Sequence, residues 1–198
     1  MCQYSSEDGN PSRWHYGHFQ QLVFSGAGMI MMESTAVSSE GRITLNDLTL
    51  KDRENENSLY IFLKYLKSLN NVPVGIQISH SGRKGSAHVP WHYYNRPLDK
   101  TENSWQTFAP SSLKRDKNWP IPRMLSLEQI FKIKMDFKNA AIRANRIGFD
   151  CIEIHMGHGY LLHQFLSPIS NIRKDQYGGN LKKRSQLLLE IFTDIRQT

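Results

Sequence analysis

The chain has little cysteine, no long apolar run and no nucleotide-binding glycine fingerprint. Cys2 and Cys151 are the only 2 cysteines among 198 residues and form no CxxC pair. They supply neither a disulfide framework nor a zinc knuckle, so a reducing, cytoplasmic setting is expected. No stretch approaches the ~20 apolar residues of a membrane span, and no apolar signal core stands near Met1. Gly178-Gly179 lacks GxGxxG and Walker spacing and reads as turn chemistry. There is no internal repeat. The formal net charge of +7 is spread along the chain, with Lys182-Lys183-Arg184 as one small cluster. That cluster reads as a solvated helix face, not a nucleic-acid footprint, and the charge supports only a weak pull toward anionic substrates or phosphates.

What is present suits one soluble globular domain: 39% hydrophobic and 22% charged residues. Asn10-Pro11 reads as a cap and first helical position, opening a helix that runs to about Phe24, with Gly26 as its stop. Gly28 to Glu33 is a first buried strand, followed by a loop from Ser34 to Leu50. Leu59, Phe62, Leu63, Leu66 and Leu69 recur at helical spacing within 54–69. Val74 to Ser79 is a second strand, leading into His80-Ser81-Gly82-Arg83-Lys84. The segment 85–123 is long, aperiodic and rich in Pro, Trp and Asn, as a lid or binding loop would be. Ser126 to Gln129 is a capping-box pattern opening a helix that ends at Gly148. Cys151 to His155 is a third strand, and a last helix starts near Asn180.

This alternation predicts a parallel sheet with right-handed crossovers. By the two-residue strand period, one face carries Glu33, Gln77 with Ser79, and Glu153 with His155. A polar face of that kind fits a barrel interior better than an open sheet covered by helices on both sides.

The chemistry concentrates at the end of the third strand, where His155, His158 and Tyr160 fall within six residues. Two near-neutral imidazoles can donate hydrogen bonds to a carbonyl or nitro oxygen, and a neighbouring tyrosine can deliver a proton. A metal site of the HxxH kind is the alternative, although Glu153 and Cys151 lie deeper on the strand and make no clear third ligand. Gln77 offers a donor and an acceptor suited to the edge of a heterocycle, or to neighbouring backbone. Gly82-Arg83-Lys84 reads as an anion-binding or merely exposed basic turn. Trp91, Tyr93, Tyr94 and Trp105 could roof a flat ligand, but loop packing is the plainer expectation.

Five segments, MCQYS (1–5), GMIMMESTAVSSEGRI (28–43), VGIQISHSGRK (74–84), FAPSS (108–112) and GFDCIEIHMGHGYLLHQFLSPISNIRKDQYGGN (148–180), together resemble the old yellow enzymes. These are flavin-dependent ene-reductases on a TIM (β/α)8 barrel. Cys2 resembles the branch often called thermophilic-like, which holds NADPH dehydrogenases. The resemblance implies FMN as cofactor, contacted by Met1, Cys2, Ser34 and Gln77, with NADPH or NADH as electron donor. It implies that His155 and His158 hold the oxygen of an activated alkene, that Tyr160 protonates the α-carbon, and that Tyr4 and Lys84 line a small-molecule substrate pocket. It implies no metal, no nucleic acid and no membrane, and leaves a homo-oligomer of the full-length protein open.

Two departures accompany it. The family's Ser-x-Glu-Asn-Arg is here Asn180-Leu181-Lys182-Lys183-Arg184, in which only the Arg matches. A full barrel takes about 250 residues, whereas three complete strands are counted here. The expectation is therefore a partial FMN-binding TIM-barrel domain over 1–198, roughly the first half, without the family's first strand. By itself such a piece would be poorly stable and hold FMN weakly or not at all. A metal-dependent barrel hydrolase using His155 and His158, and an inactive truncated product, stand as alternatives.

Overall fold

The computed structural model describes residues 2–94 and 96–198. Its first helix, α1 (Arg13–Val23), starts later than the sequence pattern suggests. Asn10 does not cap it. The Asn10 side chain accepts instead from Asn55 Nδ2 at 2.8 Å, and the backbone N–H of Ser12 donates to His15 Nδ1 at 3.1 Å, closing a capping box two residues further on. His15, Phe19 and Val23 recur every four residues and are the buried stripe.

Strand β1 (Ile30–Ala36) begins two residues later than expected and continues through residues that read as loop, because Ser34, Thr35 and Ala36 find partners in β2 (Val74–Ser79). The register slips between Met32 and Ser34, leaving Glu33 as the extra residue of a bulge. This corrects the expected parity. Ser34, not Glu33, stands opposite Gln77, and Ala36 stands opposite Ser79. The bulge sends Glu33 into a buried pair with His15, Nε2 to Oε1 2.7 Å. The other Glu33 oxygen accepts from the Gln3 N–H at 2.6 Å, so this carboxylate ties the N-terminal segment to α1 and β1.

Helix α2 (Arg53–Leu69) follows, with Asp52 accepting from Asn55 N at 3.0 Å and Glu54 and Glu56 in its first turn. Its Leu59, Phe62, Leu63 and Leu66 are fully buried, a burial that contributes roughly 1.5–3 kcal/mol for each such side chain. The stretch 85–123 contains more structure than its composition suggests. A short parallel pair, β3 (Phe108–Ala109) with β4 (Arg123–Met124), brackets its second half. Helix α3 (Leu127–Ile147) begins at the predicted Ser126–Gln129 capping box and ends on Gly148 at φ +97°, a left-handed position suited to glycine. Strand β5 (Cys151–Ile154), a short α4 (Leu161–Leu166) absent from the sequence reading, α5 (Leu181–Arg184) and α6 (Gln186–Arg196) complete the chain.

The main sheet is parallel, in the order β1–β2–β5, with α2 and α3 as crossovers. Ile30, Met32, Val74, Ile76 and Ile78 face the core formed with the helices. On the other face Cys151 and Glu153 are exposed, while Gln77 and Met31 are half-buried. The sheet is open among the described residues, and no closed barrel is present. None of the described helices is long and apolar enough to cross a membrane.

Candidate active site

The polar side chains gather at the C-terminal ends of the three strands, the position where parallel α/β folds build sites. Beyond β5 the chain turns sharply, with His158 at φ +52° and Gly159 at +71°. That turn folds His158 and Tyr160 back onto His155. The His155 ring lies 5.1 Å from His158 and 5.0 Å from Tyr160, edge to face in both cases. His155 Nδ1 accepts from the Gly157 N–H at 3.2 Å, which places the ring proton on Nε2. Nε2 sits 3.3 Å from His158 Nδ1. Burial, reinforced by the neighbouring His158, pushes His155 down to about 4, so the ring is neutral near pH 7. Burial pushes Tyr160 up to about 12, and its hydroxyl keeps its proton throughout the physiological range.

Lys84 joins this group from the loop after β2. Its Nζ donates to the His158 carbonyl at 2.6 Å and stands 5.4 Å over the Tyr160 ring. Gln164, fully buried on α4, holds the two loops together. Its Nε2 donates to Gly159 O at 2.7 Å and Ser81 O at 3.2 Å, and its Oε1 accepts from Arg83 N at 3.2 Å. Gly82, at φ +61°, is glycine because an added Cβ would run into the Gln164 amide. Tyr4 lines the same pocket as Lys84 and Tyr160, and its ring meets Trp91 at 5.8 Å.

Of the expected cofactor contacts, Met1 lies outside the described residues. Cys2 Sγ is 3.7 Å from Ser34 O and 4.0 Å from the Asp47 carboxylate. Burial and the nearby Asp47 and Glu33 carboxylates hold Cys2 as a thiol. The Ser34 hydroxyl donates to Ser79 Oγ at 2.6 Å. Gln77 Nε2 donates to Glu153, while Gln77 Oε1 is buried without a partner. His80, next in line, is buried, and its Nε2 has no hydrogen-bond partner among the described residues. It is 1% exposed, its Nδ1 accepts from Gly82 N at 3.0 Å, and burial pushes it down to about 4. Among the expected roofing aromatics, Trp105 donates to Glu40 O at 3.2 Å and serves loop packing, whereas Trp91, Tyr93 and Tyr94 are exposed beside the pocket. No group of three His, Cys, Asp or Glu side chains fit to hold a metal ion occurs among the described residues. A groove of about 600 Å³ between α2 and α3 lies away from the strand ends, and its Arg146 already pairs with Glu56.

Arg115 and Asp47 lie outside every segment of the resemblance, and Gln164 lies inside 148–180 with no local sign of its role. A buried Asp followed by no partner in sequence is invisible until Ile43 N and Thr44 Oγ1 are seen to donate to it, at 2.6 and 2.7 Å. Burial nonetheless pushes Asp47 up to about 6. Opposite pH dependences follow. His80 and His155 bind protons less readily folded than unfolded, so their contribution to stability rises from about pH 4 to about 6.5. Asp47 binds its proton more readily folded, so its contribution falls as pH rises from about 3.8 to 6. Thermal melts between pH 4.5 and 6.5 should show stability rising with pH, and D47N should steepen that rise. A shallower slope in D47N would contradict the assignment.

An NADH:flavin oxidoreductase of Gibberella zeae is 42% identical over 199 residues, a match covering 99% of this chain and 48% of that protein. An NADPH dehydrogenase of Clostridium acetobutylicum is 37% identical, covering 100% of this chain and 54% of that protein. Among solved structures, morphinone reductase superposes with a TM-score of 0.85 at 24% identity, covering 100% of this chain and 53% of that one. An old yellow enzyme from Pichia gives 0.84 at 22%, covering 100% and 51%. The fold is therefore that of part of an old yellow enzyme α/β barrel, and the chain spans about half the length of the curated relatives it matches. With its residues 1–198 matched throughout, the chain belongs to the NADH:flavin oxidoreductase / NADH oxidase family.

Proposed function

We propose that this chain carries the alkene-binding and proton-delivering part of an FMN-dependent oxidoreductase. The enzyme reduces activated C=C bonds of α,β-unsaturated carbonyl or nitro compounds, with NADPH or NADH as electron donor. The supporting observation is the meeting of His155, His158 and Tyr160 at the end of β5. Residues 1–198 belong on this view to an FMN-binding TIM (β/α)8 barrel, with β1, β2 and β5 as successive strands of its first half. The family's first strand and its second half lie outside this range.

The residues present fit a flavin. Gln77 Oε1 is a buried acceptor with nothing to accept from, which suits a ring N–H of a flat heterocycle, and leaving it unmet costs about 1–3 kcal/mol. Cys2 Sγ lies 3.7 Å from the backbone carbonyl of Ser34 on β1, and Met1, which lies outside the described residues, completes the proposed contacts. When bound, FMN supplies two-electron transfer from the nicotinamide to the β-carbon of the alkene.

The chain's own residues handle oxygen and proton. As the β-carbon is reduced, negative charge builds on the carbonyl or nitro oxygen, and imidazole N–H groups of His155 and His158 hold it. Since Nε2 of His155 lies 3.3 Å from Nδ1 of His158, the arriving oxygen replaces this ring–ring contact. Tyr160 gives its hydroxyl proton to the α-carbon and regains one from solvent, completing a net addition of two hydrogens. The test is anaerobic: flavin-loaded protein is reduced with NADPH and mixed with 2-cyclohexenone or a nitroalkene. Return of oxidised-flavin absorbance with formation of saturated product is expected. A flavin-loaded protein whose reduced flavin no activated alkene reoxidises would overturn the proposal.

A further inference from the structure

Lys84 and Arg115 line one cavity with Tyr160, and Arg83 stands next to Lys84 in the chain. Arg83 Nη1 donates to the carbonyls of Leu113 and Lys114 at 3.0 and 3.1 Å. That clamp draws the 113–115 segment out of the long loop and sets Arg115 on the same cavity as Lys84. The cavity, about 150 Å³, is lined by Tyr4, Lys84, Tyr94, Arg115, Trp119 and Tyr160. The Arg115 guanidinium lies over the Trp119 ring at 4.3 Å, and Lys84 over the Tyr160 ring at 5.4 Å. None of Arg83, Lys84 and Arg115 forms an ion pair with an Asp or Glu among the described residues. Arg96, which also lines the cavity, differs in being paired with Asp99 and Glu102.

Ring faces and carbonyls are weak partners for a half-buried cation. The cost shows in the proton affinities: burial, and then Arg115 itself, lowers both Lys84 and Arg83. A buried donor of a lining residue is also unmet, Trp119 Nε1, and so is Nε of the neighbouring Arg83. Surplus positive charge, an unmet donor and a small cavity occur together beside the proton donor.

We infer that this cavity is an oxyanion subsite, taking a carboxylate or phosphate of a molecule bound against Tyr160, with Arg115 and Lys84 as its partners. A carboxylate or phosphate suits it because a guanidinium binds either through paired charge-assisted hydrogen bonds. The inference deepens the proposed function by naming a substrate class: activated alkenes that bear an acidic group. The same oxyanion chemistry occurs on the phosphate of NADPH, and the two sources are separable by experiment.

Flavin-loaded protein and its R115Q and R115K variants are titrated calorimetrically with benzoate and with methyl benzoate. Benzoate should bind the parent protein better than its ester, R115Q should weaken benzoate by roughly ten- to a hundredfold, and R115K should recover part of the loss. Equal benzoate affinity in parent and R115Q overturns the inference, whatever the catalytic behaviour. Kinetics then assign the source. A cyclohexenone carboxylate is compared with its methyl ester in flavin reoxidation, and NADPH with NADH in flavin reduction. Loss of the carboxylate preference in KM by R115Q assigns the subsite to the alkene, whereas loss of the NADPH preference alone assigns it to the reductant and overturns the substrate-class inference. Failure of every alkene to reoxidise the flavin would overturn the proposed function, while the benzoate titration would still decide the subsite.

Discussion

Tyr160→Phe is expected to slow the alkene step by about 10²–10⁴, the contribution of a positioned general acid. The substitution removes one oxygen and leaves the ring. The edge-to-face contact with His155 at 5.0 Å and the position under Lys84 at 5.4 Å need only the ring. A fall in rate would therefore report the lost proton donor and not a collapsed site. The loss should appear in flavin reoxidation by the alkene and not in flavin reduction by NADPH, because only the first needs a proton at carbon. With Tyr160 pushed up to about 12 by burial, the parent's alkene step should show no titration of this residue between about pH 6 and 9. Stopped-flow measurement of the two half-reactions checks both points. A Tyr160→Phe protein that reoxidises at the parent rate would remove Tyr160 from the mechanism.

Arg173→Ala should strongly destabilise the fold. Arg173 is 8% exposed and joins three segments that are distant in sequence. Nη1 donates to Pro110 O at 2.9 Å and Leu125 O at 2.7 Å, and Nε and Nη2 donate to the Asp175 carboxylate at 3.1 and 2.5 Å. Asp175 in turn accepts from Tyr177 N at 3.0 Å. Truncation leaves two carbonyls and a carboxylate without their donor, a loss of about 3–5 kcal/mol. Against a total of about 5–15 kcal/mol for a whole domain, that is a large share. Lys at this position keeps the charge but not the fork, and should recover only part. Urea midpoints of the flavin-loaded protein measure it, and a loss under about 1 kcal/mol would show that these bonds are replaced by water.

The same residue shows where reading along the chain stops. Arg173 lies within the long motif that resembles the old yellow enzymes, yet nothing local says that its partners are 63 and 48 residues away. The two glycines after it were legible as turn chemistry. An added Cβ on Gly178 would collide with the Arg173 backbone, and Gly179 stands at φ +95°.

Periodicity and capping determined much by themselves. The stripe Leu59, Phe62, Leu63 and Leu66, the Ser126–Gln129 box and the apolar strands carry their structure within a few residues of sequence, and the helices and strands formed there. The cluster of His155, His158 and Tyr160 was legible for the same reason: its members are neighbours in the chain. Tertiary structure decided what depends on distant partners. The bulge at Glu33 exists because β2 pairs on either side of it while His15 and Gln3 claim the carboxylate. Nothing in the composition of β1 encodes that slip. Gln164 bridges loops some 80 residues apart in sequence, and Arg83 reaches across the aperiodic loop to bring Arg115 to Lys84. Local propensity acts within a few residues, whereas these contacts depend on the path that the packed core imposes on its loops.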